Sequence, residues 1–272
     1  MEYVHVQNAK VPALGFGTWQ LEGKECEKGV KDALDIGYRH IDTAQAYGNE
    51  DLVGKAIEES DVARENIWLT TKVWRDSLNQ EDLRDSVEES LEKLRTNYVD
   101  LLLIHWPFPE MDLEAVLGEM EELVNEGKAL HIGVSNFTPE QVKKAQRLAD
   151  IPLFTDQVEY HPFLGQDELL ETCRDHGMML TAYSPLARGD VLGDDTLEEI
   201  GERYGKSEAQ VALRWLVQQD GVAAIPKAGT AEHREQNFDI FDFELTGEEM
   251  EEISGLARDD RKVDPSFGPW NQ

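Results

Sequence analysis

Short apolar runs alternate along this chain with amphipathic stretches of helical length, and this alternation is what most constrains its fold. The runs at 38–41, 67–71 and 99–104 have the length and the β-branched or aliphatic content of buried strands. Strands that alternate with helices form parallel βαβ units. The pattern therefore predicts an α/β protein. The length of 272 residues suits one (β/α)8 TIM barrel, which typically needs about 250 residues.

A polar residue stands at or just beyond the end of each run. Asp42 follows the first run with Tyr47 in the loop after it, Lys72 follows the second, and His105 follows the third. The C-terminal ends of barrel strands share one rim, so these four groups are expected to meet in one pocket. A phenol beside an ammonium that is paired with a carboxylate should have a lowered pKa and donate a proton near neutral pH. His105 would orient and polarise a substrate carbonyl. The alternative roles are structural: packing for Tyr47, an ion pair for Lys72 and a polar cap for His105.

The remaining elements follow from turn and capping signals. Residues 3–7 and 11–14 flank a turn at 8–10 and predict a hairpin that covers the bottom of the barrel, before a first barrel strand at 14–17. Two additional helices are expected at 195–203 and 247–256, and the chain from 265 onward should lie over or near the active rim. We expect one domain, 1–272. Further strands centre on Ile41, Leu69, Leu102, Ile132, Gln157, Ala182 and Ala224, and helices begin near Lys24, Glu50, Asn79, Leu113, Pro139, Gln166, Ser207 and Ala231.

Acidic residues outnumber basic ones by 56 to 26, which gives a formal net charge of −30. Such a surface repels nucleic acid and anionic membranes, so we expect neither as a partner. The acids are spread over several helices rather than gathered in one tail. Self-repulsion of this size destabilises the folded state at low ionic strength and is relieved when salt screens it. We interpret the pattern as a halophilic adaptation to a salty cytoplasm, with a docking surface for a basic partner as the alternative.

The chain shows no sign of membrane insertion or secretion. It has no stretch of about 18 consecutive apolar residues, and its first residues, MEYVH, lack the basic and apolar pattern of a signal peptide. We therefore expect a cytoplasmic protein. Cys26 and Cys173 fall in predicted helices without a metal-binding spacing, and we expect both to be free thiols.

Short segments spread from residue 11 to residue 243 resemble the aldo-keto reductase family in type and order. The resemblance implies a barrel that reduces aldehydes or ketones to alcohols with NADP(H) or NAD(H), similar to microbial short-loop members such as 2,5-diketo-gluconate reductases, and it implies a monomer. The segments are GFGTW at 15–19, GYRHIDTA at 37–44, YGNE at 47–50, TKVW at 71–74, LIHWP at 103–107, GVSNF at 133–137, QVEYHP at 157–162, AYSPL at 182–186 and IPK at 225–227.

The resemblance also implies where the dinucleotide binds. No GxGxxG motif follows a strand, because GFG at 15–17 leads into Thr-Trp, so a Rossmann-type site is not expected. Family members bind the dinucleotide across the barrel mouth, with Ser135, Asn136 and Gln157 on the carboxamide and Tyr183 stacked on the nicotinamide. Amide and hydroxyl groups suit a primary amide, and a phenol suits a flat ring. The expected contacts are Gly17, Thr18, Trp19, Asp42, Ser135, Asn136, Gln157, Tyr183, Ser184, Pro185, Leu186, Ile225, Pro226, Lys227, Ala228, Thr230, His233, Gln236 and Asn237.

The last barrel loop departs from the family pattern. Members that prefer NADPH place an arginine on the 2′-phosphate, where charge-assisted bonds hold it. This chain has His233 at that position, although Lys227 and Thr230 remain and Arg234 could turn toward the phosphate. The sequence therefore does not decide whether NADPH or NADH is the preferred cofactor. A smaller departure is Asp156, where the family commonly has asparagine, and we assign it no catalytic role.

The substrate pocket is expected to be apolar and aromatic. Aromatic walls, with short connections after two of the strands, suit small or varied carbonyl compounds such as aldehydes, α-keto acids, dicarbonyls or keto-sugar acids. Trp68 lies inside a strand and is interpreted as core. The pocket is assigned to Trp19, Tyr47, Trp74, His105, Trp106 and Trp270, with Phe108 as a further candidate.

Two other functions fit parts of the sequence. A catalytically idle cofactor-binding subunit that senses redox state would have the same fold. A metal-dependent barrel hydrolase would also place histidine and aspartate at strand ends, but it needs clustered ligands. The chain has neither an HxH pair nor an HExxH motif, so we expect no metal.

Overall fold

The structure is a computed structural model that describes residues 1–79 and 81–271, and it begins with an antiparallel hairpin. Strand β1 (Tyr3–Val6) pairs with β2 (Ala9–Pro12). The turn lies at Gln7 and Asn8 rather than at 8–10, because these two residues take the left-handed φ angles of 49° and 78° that a tight hairpin needs. The Gln7 amide donates to the carbonyl of Leu153 at 2.8 Å. Since Leu153 precedes a barrel strand, the hairpin covers the bottom of the barrel as predicted.

Eight parallel strands form the barrel, and their spatial order follows the chain. A parallel bridge between Leu14 and Ala224 closes the sheet. The first strand is shorter than the predicted 14–17, but the (β/α)8 barrel is confirmed. The strands are β3 (Phe16–Gly17), β4 (His40–Asp42), β5 (Trp68–Val73), β6 (Val99–Ile104), β7 (Ala129–Ser135), β8 (Thr155–Glu159), β9 (Met179–Tyr183) and β10 (Val222–Ala224).

Amphipathic helices surround the barrel and bury their apolar faces against it. Eight of those in the described chain alternate with barrel strands, and α7 and α10 are the two additional helices that were predicted. The helices are α1 (Gly23–Ile36), α2 (Glu50–Glu58), α3 (Leu83–Lys93), α4 (Leu113–Asn125), α5 (Pro139–Leu148), α6 (Asp167–Asp175), α7 (Asp195–Tyr204), α8 (Glu208–Val217), α9 (Ala231–Phe238) and α10 (Gly247–Ser254).

One predicted helix start is displaced. Helix α3 begins at Leu83 and not near Asn79. The Asn79 side chain accepts the N–H groups of Glu81 and Asp82, each at 3.0 Å. Asparagine commonly closes such turns through its side chain, so Asn79 ends the preceding loop instead of starting the helix.

The core confirms two smaller expectations. Trp68 is buried and stacks on Phe154, with ring centroids 5.3 Å apart. Cys26 in α1 and Cys173 in α6 are buried free thiols. Within the part of the chain that is described, no helix is long and apolar enough to cross a membrane.

Candidate active site

The register of three adjacent strands places the predicted catalytic side chains on one face. Asp42 of β4 pairs with Thr70 of β5, and Lys72 lies two residues further along β5. Lys72 in turn pairs with Leu103 of β6, two residues before His105. Side chains repeat their direction at every second residue of a strand. Asp42, Lys72 and His105 therefore point the same way at the C-terminal end of the barrel, where barrel enzymes carry their active sites.

The four predicted groups meet around a buried ammonium. The Nζ atom of Lys72 donates to Asp42 Oδ1 at 2.5 Å, to the Thr43 carbonyl at 2.9 Å and to Tyr47 Oη at 3.3 Å. The His105 ring lies edge-on to the Tyr47 ring, with centroids 5.7 Å apart. The structure therefore brings Asp42, Tyr47, Lys72 and His105 together.

Sequence reasoning missed a glutamine that holds the Tyr47 loop. Gln45 starts a 3₁₀ turn, Gln45–Tyr47, and its Oε1 atom accepts the Trp74 N–H at 2.9 Å. Its Nε2 atom donates to Ser86 and Ser90 of α3 at 3.1 to 3.2 Å. Gln45 thus ties the turn that carries Tyr47 to the end of β5 and to α3. A polar residue two positions before Tyr47 was the one available signal, because its partners lie far away in sequence.

Burial sets the protonation of the two central groups. It raises the pKa of Tyr47 well above the usual value, and the Asp42 carboxylate adds to this shift. The expectation of a lowered pKa for Tyr47 is therefore wrong for this structure, because desolvation of the phenolate outweighs the nearby ammonium. Burial, with the positive charge of Lys72, lowers the pKa of His105 well below the usual value. At neutral pH the phenol is protonated and the imidazole is neutral.

The residues predicted to hold the carboxamide form a hydrogen-bonded network with the predicted catalytic groups. Asn136 donates to the carbonyl of His105 at 2.9 Å and accepts from Tyr183 Oη at 2.7 Å. Gln157 Nε2 donates to Asp42 Oδ2 at 2.7 Å. Asn136 has a φ angle of 64°, a left-handed conformation that asparagine adopts more readily than most residues. The predicted cofactor wall and the predicted catalytic groups are therefore connected by hydrogen bonds.

A cavity of ≈ 470 Å³ opens above this network. One wall presents hydroxyl and amide groups together with the flat, half-buried ring of Tyr183. These groups match the polar edge and the flat face of a nicotinamide, so the residues present fit that cofactor. The cavity is lined by Gly17, Trp19, Asp42, Ala46, Tyr47, Trp74, His105, Trp106, Ser135, Asn136, Gln157, Tyr183, Ser184, Ile225, Lys227 and Val263.

The other predicted cofactor residues lie outside this lining. His233 and Gln236 are exposed on α9, and Thr230 caps that helix by accepting the His233 N–H at 3.2 Å. Their surface position leaves them accessible to the outer part of a dinucleotide, but the cavity itself does not reach them. The whole group is Thr18, Pro185, Leu186, Pro226, Ala228, Thr230, His233, Gln236 and Asn237.

Arg234 does not point toward a phosphate. Its side chain is buried, and its guanidinium donates to Asp32 at 2.5 Å and to the Ala228 carbonyl at 3.0 Å. Breaking a buried ion pair is costly, so this arginine is held in the core. The idea that Arg234 could replace the missing phosphate ligand is therefore wrong for this structure.

Two residues assigned to the substrate pocket do not line it. The guanidinium of Arg261 lies over the ring of Trp270, with its Cζ atom 4.0 Å from the ring centroid. Phe108 faces the guanidinium of Arg75 at 5.2 Å and belongs to a separate cleft that also contains Pro269. Attraction between a guanidinium and an aromatic face accounts for both positions.

A phenylalanine that was not predicted supports the aromatic wall. Phe267 packs edge-on against Trp74 and Trp106, with ring centroids 6.2 and 5.6 Å away. Trp74 and Trp106 both line the cavity as expected, as does Trp19. The chain beyond 265 therefore does reach the active rim, through Phe267 and not through Trp270.

Fold and site together define a class of protein. A parallel barrel that holds a protonated phenol and a neutral imidazole beside a wall suited to nicotinamide is built for reducing carbonyl groups. Comparison with known proteins gives the family: the chain belongs to the Aldo/keto reductase family, whose model matches residues 13–258. The predicted family, reaction class and nicotinamide cofactor are confirmed. The protein is an oxidoreductase that reduces carbonyl compounds with NAD(P)H.

Several relatives resemble the chain over nearly its whole length. It is 43% identical over 254 residues to glyoxal reductase of Bacillus subtilis (strain 168), covering 93% of this chain and 91% of the relative. A crystal structure named as a 2,5-diketo-D-gluconic acid reductase B is 49% identical, with a TM-score of 0.97 and coverage of 98% and 96%. The aldose reductase of Schistosoma japonicum is 35% identical, with a TM-score of 0.93 and coverage of 100% and 97%.

Proposed function

We propose that the chain reduces small aldehydes and related carbonyl compounds, including dicarbonyls, α-keto acids or keto-sugar acids, at the site formed by Asp42, Tyr47, Lys72 and His105. The observation that carries the proposal is the 3.3 Å contact between Lys72 Nζ and Tyr47 Oη, made while Nζ is also bound to Asp42. The similarity to a glyoxal reductase and to a diketogluconic acid reductase supports the same substrate classes.

Tyr47 acts as the general acid in this proposal. Its raised pKa keeps the phenol protonated until the substrate oxygen gains negative charge and becomes basic enough to take the proton. Lys72 then stabilises the phenolate that remains, and Asp42 keeps the ammonium in place. The neutral imidazole of His105 donates a hydrogen bond to the substrate oxygen and orients it.

The nicotinamide would be held by Ser135, Asn136, Gln157 and Tyr183, and when bound it supplies the hydride that no side chain can provide. The outer dinucleotide would lie along Ser184 and Lys227, which line the cavity, toward the exposed α9. There the imidazole of His233 stands where family members that prefer NADPH have a permanently charged guanidinium. We propose that the enzyme uses NADH or both cofactors rather than NADPH alone.

We further propose that residues 1–272 form one catalytic domain that works as a monomer in a salt-rich cytoplasm. The continuous barrel supports one domain, and the net charge of −30 supports a high-salt setting. Among the described residues, no group of three or more histidine, cysteine, aspartate or glutamate side chains is placed to hold a metal ion.

The test is oxidation of NADPH and of NADH with a panel of small aldehydes, comparing wild type with Tyr47→Phe. We expect Tyr47→Phe to lower kcat/KM by at least about 100-fold, within the range of general acid catalysis, while the Kd for cofactor stays nearly constant. Tyr3→Phe, on the exposed hairpin, is the matched control. Equal loss of turnover and cofactor binding would make Tyr47 structural. Tight cofactor binding by the wild type without turnover would favour the redox sensor.

A further inference from the structure

A stretch of chain after the last helix crosses the barrel rim beside the cavity. We name residues 258–264 the C-terminal segment. The N–H groups of Arg258 and Asp260 both donate to the Phe163 carbonyl at 3.1 Å, and the Arg258 guanidinium lies 3.9 Å from the Phe163 ring centroid. Val263 of this segment lines the cavity. The segment is therefore part of the pocket wall.

One buried carboxylate anchors the segment. Glu159 Oε1 accepts the Lys262 N–H at 2.6 Å, and Oε2 accepts the Val263 N–H at 2.7 Å. His161 Nε2 also donates to Oε1, at 2.9 Å. The Glu159 side chain is fully buried, and burial alone would raise its pKa, but the donated hydrogen bonds leave the pKa lowered. Hydrogen bonds to a charged acceptor are about twice as strong as neutral ones.

The ion pairs of the Lys262 side chain are weaker contacts. Lys262 Nζ reaches Asp190 at 2.5 Å and Asp260 at 2.8 Å, but Asp190 is 56% exposed. Exposed ion pairs contribute little to stability because water and salt screen them. Glu159 therefore binds the part of the segment that touches the cavity through two backbone N–H groups, and its side chain is shielded from water.

The position of Glu159 links the C-terminal segment to the strand that carries Gln157. It ends β8, two residues after Gln157, so both side chains point to the same face of the strand. Gln157 donates to Asp42, and Glu159 accepts the N–H of Val263. A single strand thus carries Gln157, which contacts Asp42, and Glu159, which holds a residue of the cavity lining.

We propose that Glu159 is a positioning residue for substrate: its carboxylate holds the C-terminal segment so that Val263 sets the size of the pocket. The inference rests on the proposed carbonyl reduction. Glutamine at 159 would keep the shape but lose the charge and present an amide N–H₂ toward one of the two backbone donors. The segment would then detach, the pocket would widen, and small substrates would lose contacts while bulky ones gained room.

The experiment compares Glu159→Gln with Asp190→Asn, which removes the exposed ion pair and leaves the anchor. Trypsin cleavage within 258–262, followed by mass spectrometry of the full chain, should be at least tenfold faster in Glu159→Gln and unchanged in Asp190→Asn. Steady-state kinetics of Glu159→Gln should show KM for a two-carbon aldehyde raised at least fivefold, KM for a bulky aromatic aldehyde unchanged or lower, and kcat and cofactor Kd within twofold.

A second variant changes the size of the pocket without changing the anchor of the C-terminal segment. It also keeps the proposal testable if Glu159→Gln does not fold. Val263→Ala should reproduce the change in KM without faster cleavage. Faster cleavage of Glu159→Gln with unchanged KM for both aldehydes would overturn the proposal, as would unchanged cleavage. A shared loss of kcat and cofactor binding would instead place Glu159 in the cofactor wall. If the wild-type enzyme reduced neither aldehyde, the proposed function itself would fail. The cleavage comparison would then test only whether Glu159 holds the C-terminal segment.

Discussion

Replacing Lys72 with methionine tests whether the centre of the site is a charged pair. The side chains of Lys72 and Asp42 are 0% and 2% exposed, and their closest atoms lie 2.5 Å apart. Methionine keeps most of the aliphatic volume but leaves the Asp42 carboxylate with the Gln157 amide and without its cation. Removing one partner of a buried ion pair costs about 3–5 kcal/mol. At roughly 2–4 °C per kcal/mol for a chain of this size, Tm should fall by about 6–20 °C.

The assay is thermal and urea denaturation of the cofactor-free protein. The double variant Lys72→Met/Asp42→Asn should recover most of the loss, because the cost arises from the unpaired carboxylate and not from lost packing. Lys55→Met is the control, since it removes a partly exposed ion pair with Glu27 and should change the free energy of unfolding by less than about 1 kcal/mol. A loss below about 1 kcal/mol in Lys72→Met, or a double variant no more stable than the single one, would refute a charged resting pair.

Three other outcomes can be measured independently. His233→Arg should tighten NADPH about tenfold, as expected for one charge-assisted bond, with NADH within twofold; equal shifts in both Kd values would mean that α9 does not meet the 2′-phosphate. Asp156→Asn should raise Tm at pH 7 and change it little at pH 4. Burial raises the pKa of Asp156, so the native state holds this proton more tightly than the unfolded state does. The wild type therefore loses stability as pH rises above about 4. A gain in Tm for Asp156→Asn that did not depend on pH would contradict this. Raising KCl from 0.1 to 2 M should raise Tm by screening the net charge of −30; a flat or falling Tm would not fit self-repulsion.

The barrel could be predicted because most of its elements carry local signals. Helices α5 and α8 begin where the sequence indicated, since Thr138 and Ser207 form capping boxes with the residues three positions later. The start of α3 could not be placed in the same way, because Asn79 serves a turn as readily as a helix. The hairpin turn was predicted at the wrong residues for a similar reason. The left-handed pair Gln7 and Asn8 contains no glycine that would indicate a turn there.

The sequence predicted the site residues that stand just after an apolar run or in the loop that follows one. Tyr47 and Lys72 follow apolar runs and meet as expected, whereas Gln45, Glu159 and Phe267 act through partners that are distant in sequence or on other elements. The protonation states of the site residues were even harder to predict from the sequence. Charges can be read from a sequence, but the burial that raises the pKa of Tyr47 depends on how closely the surrounding loops pack.

Asp42 connects the parts of the site that the sequence showed separately. Its Oδ1 atom accepts from Lys72 at 2.5 Å, and its Oδ2 atom accepts from Gln157 at 2.7 Å. Both carboxylate oxygens therefore have donors, and the Lys72 ammonium bound to one of them also contacts Tyr47 Oη. Because Gln157 belongs to the wall suited to nicotinamide, the proposed cofactor contacts and the proposed proton donor are connected through one carboxylate. The half-buried Tyr47 is thereby linked, through Lys72 and Asp42, to Gln157, which we propose contacts the cofactor.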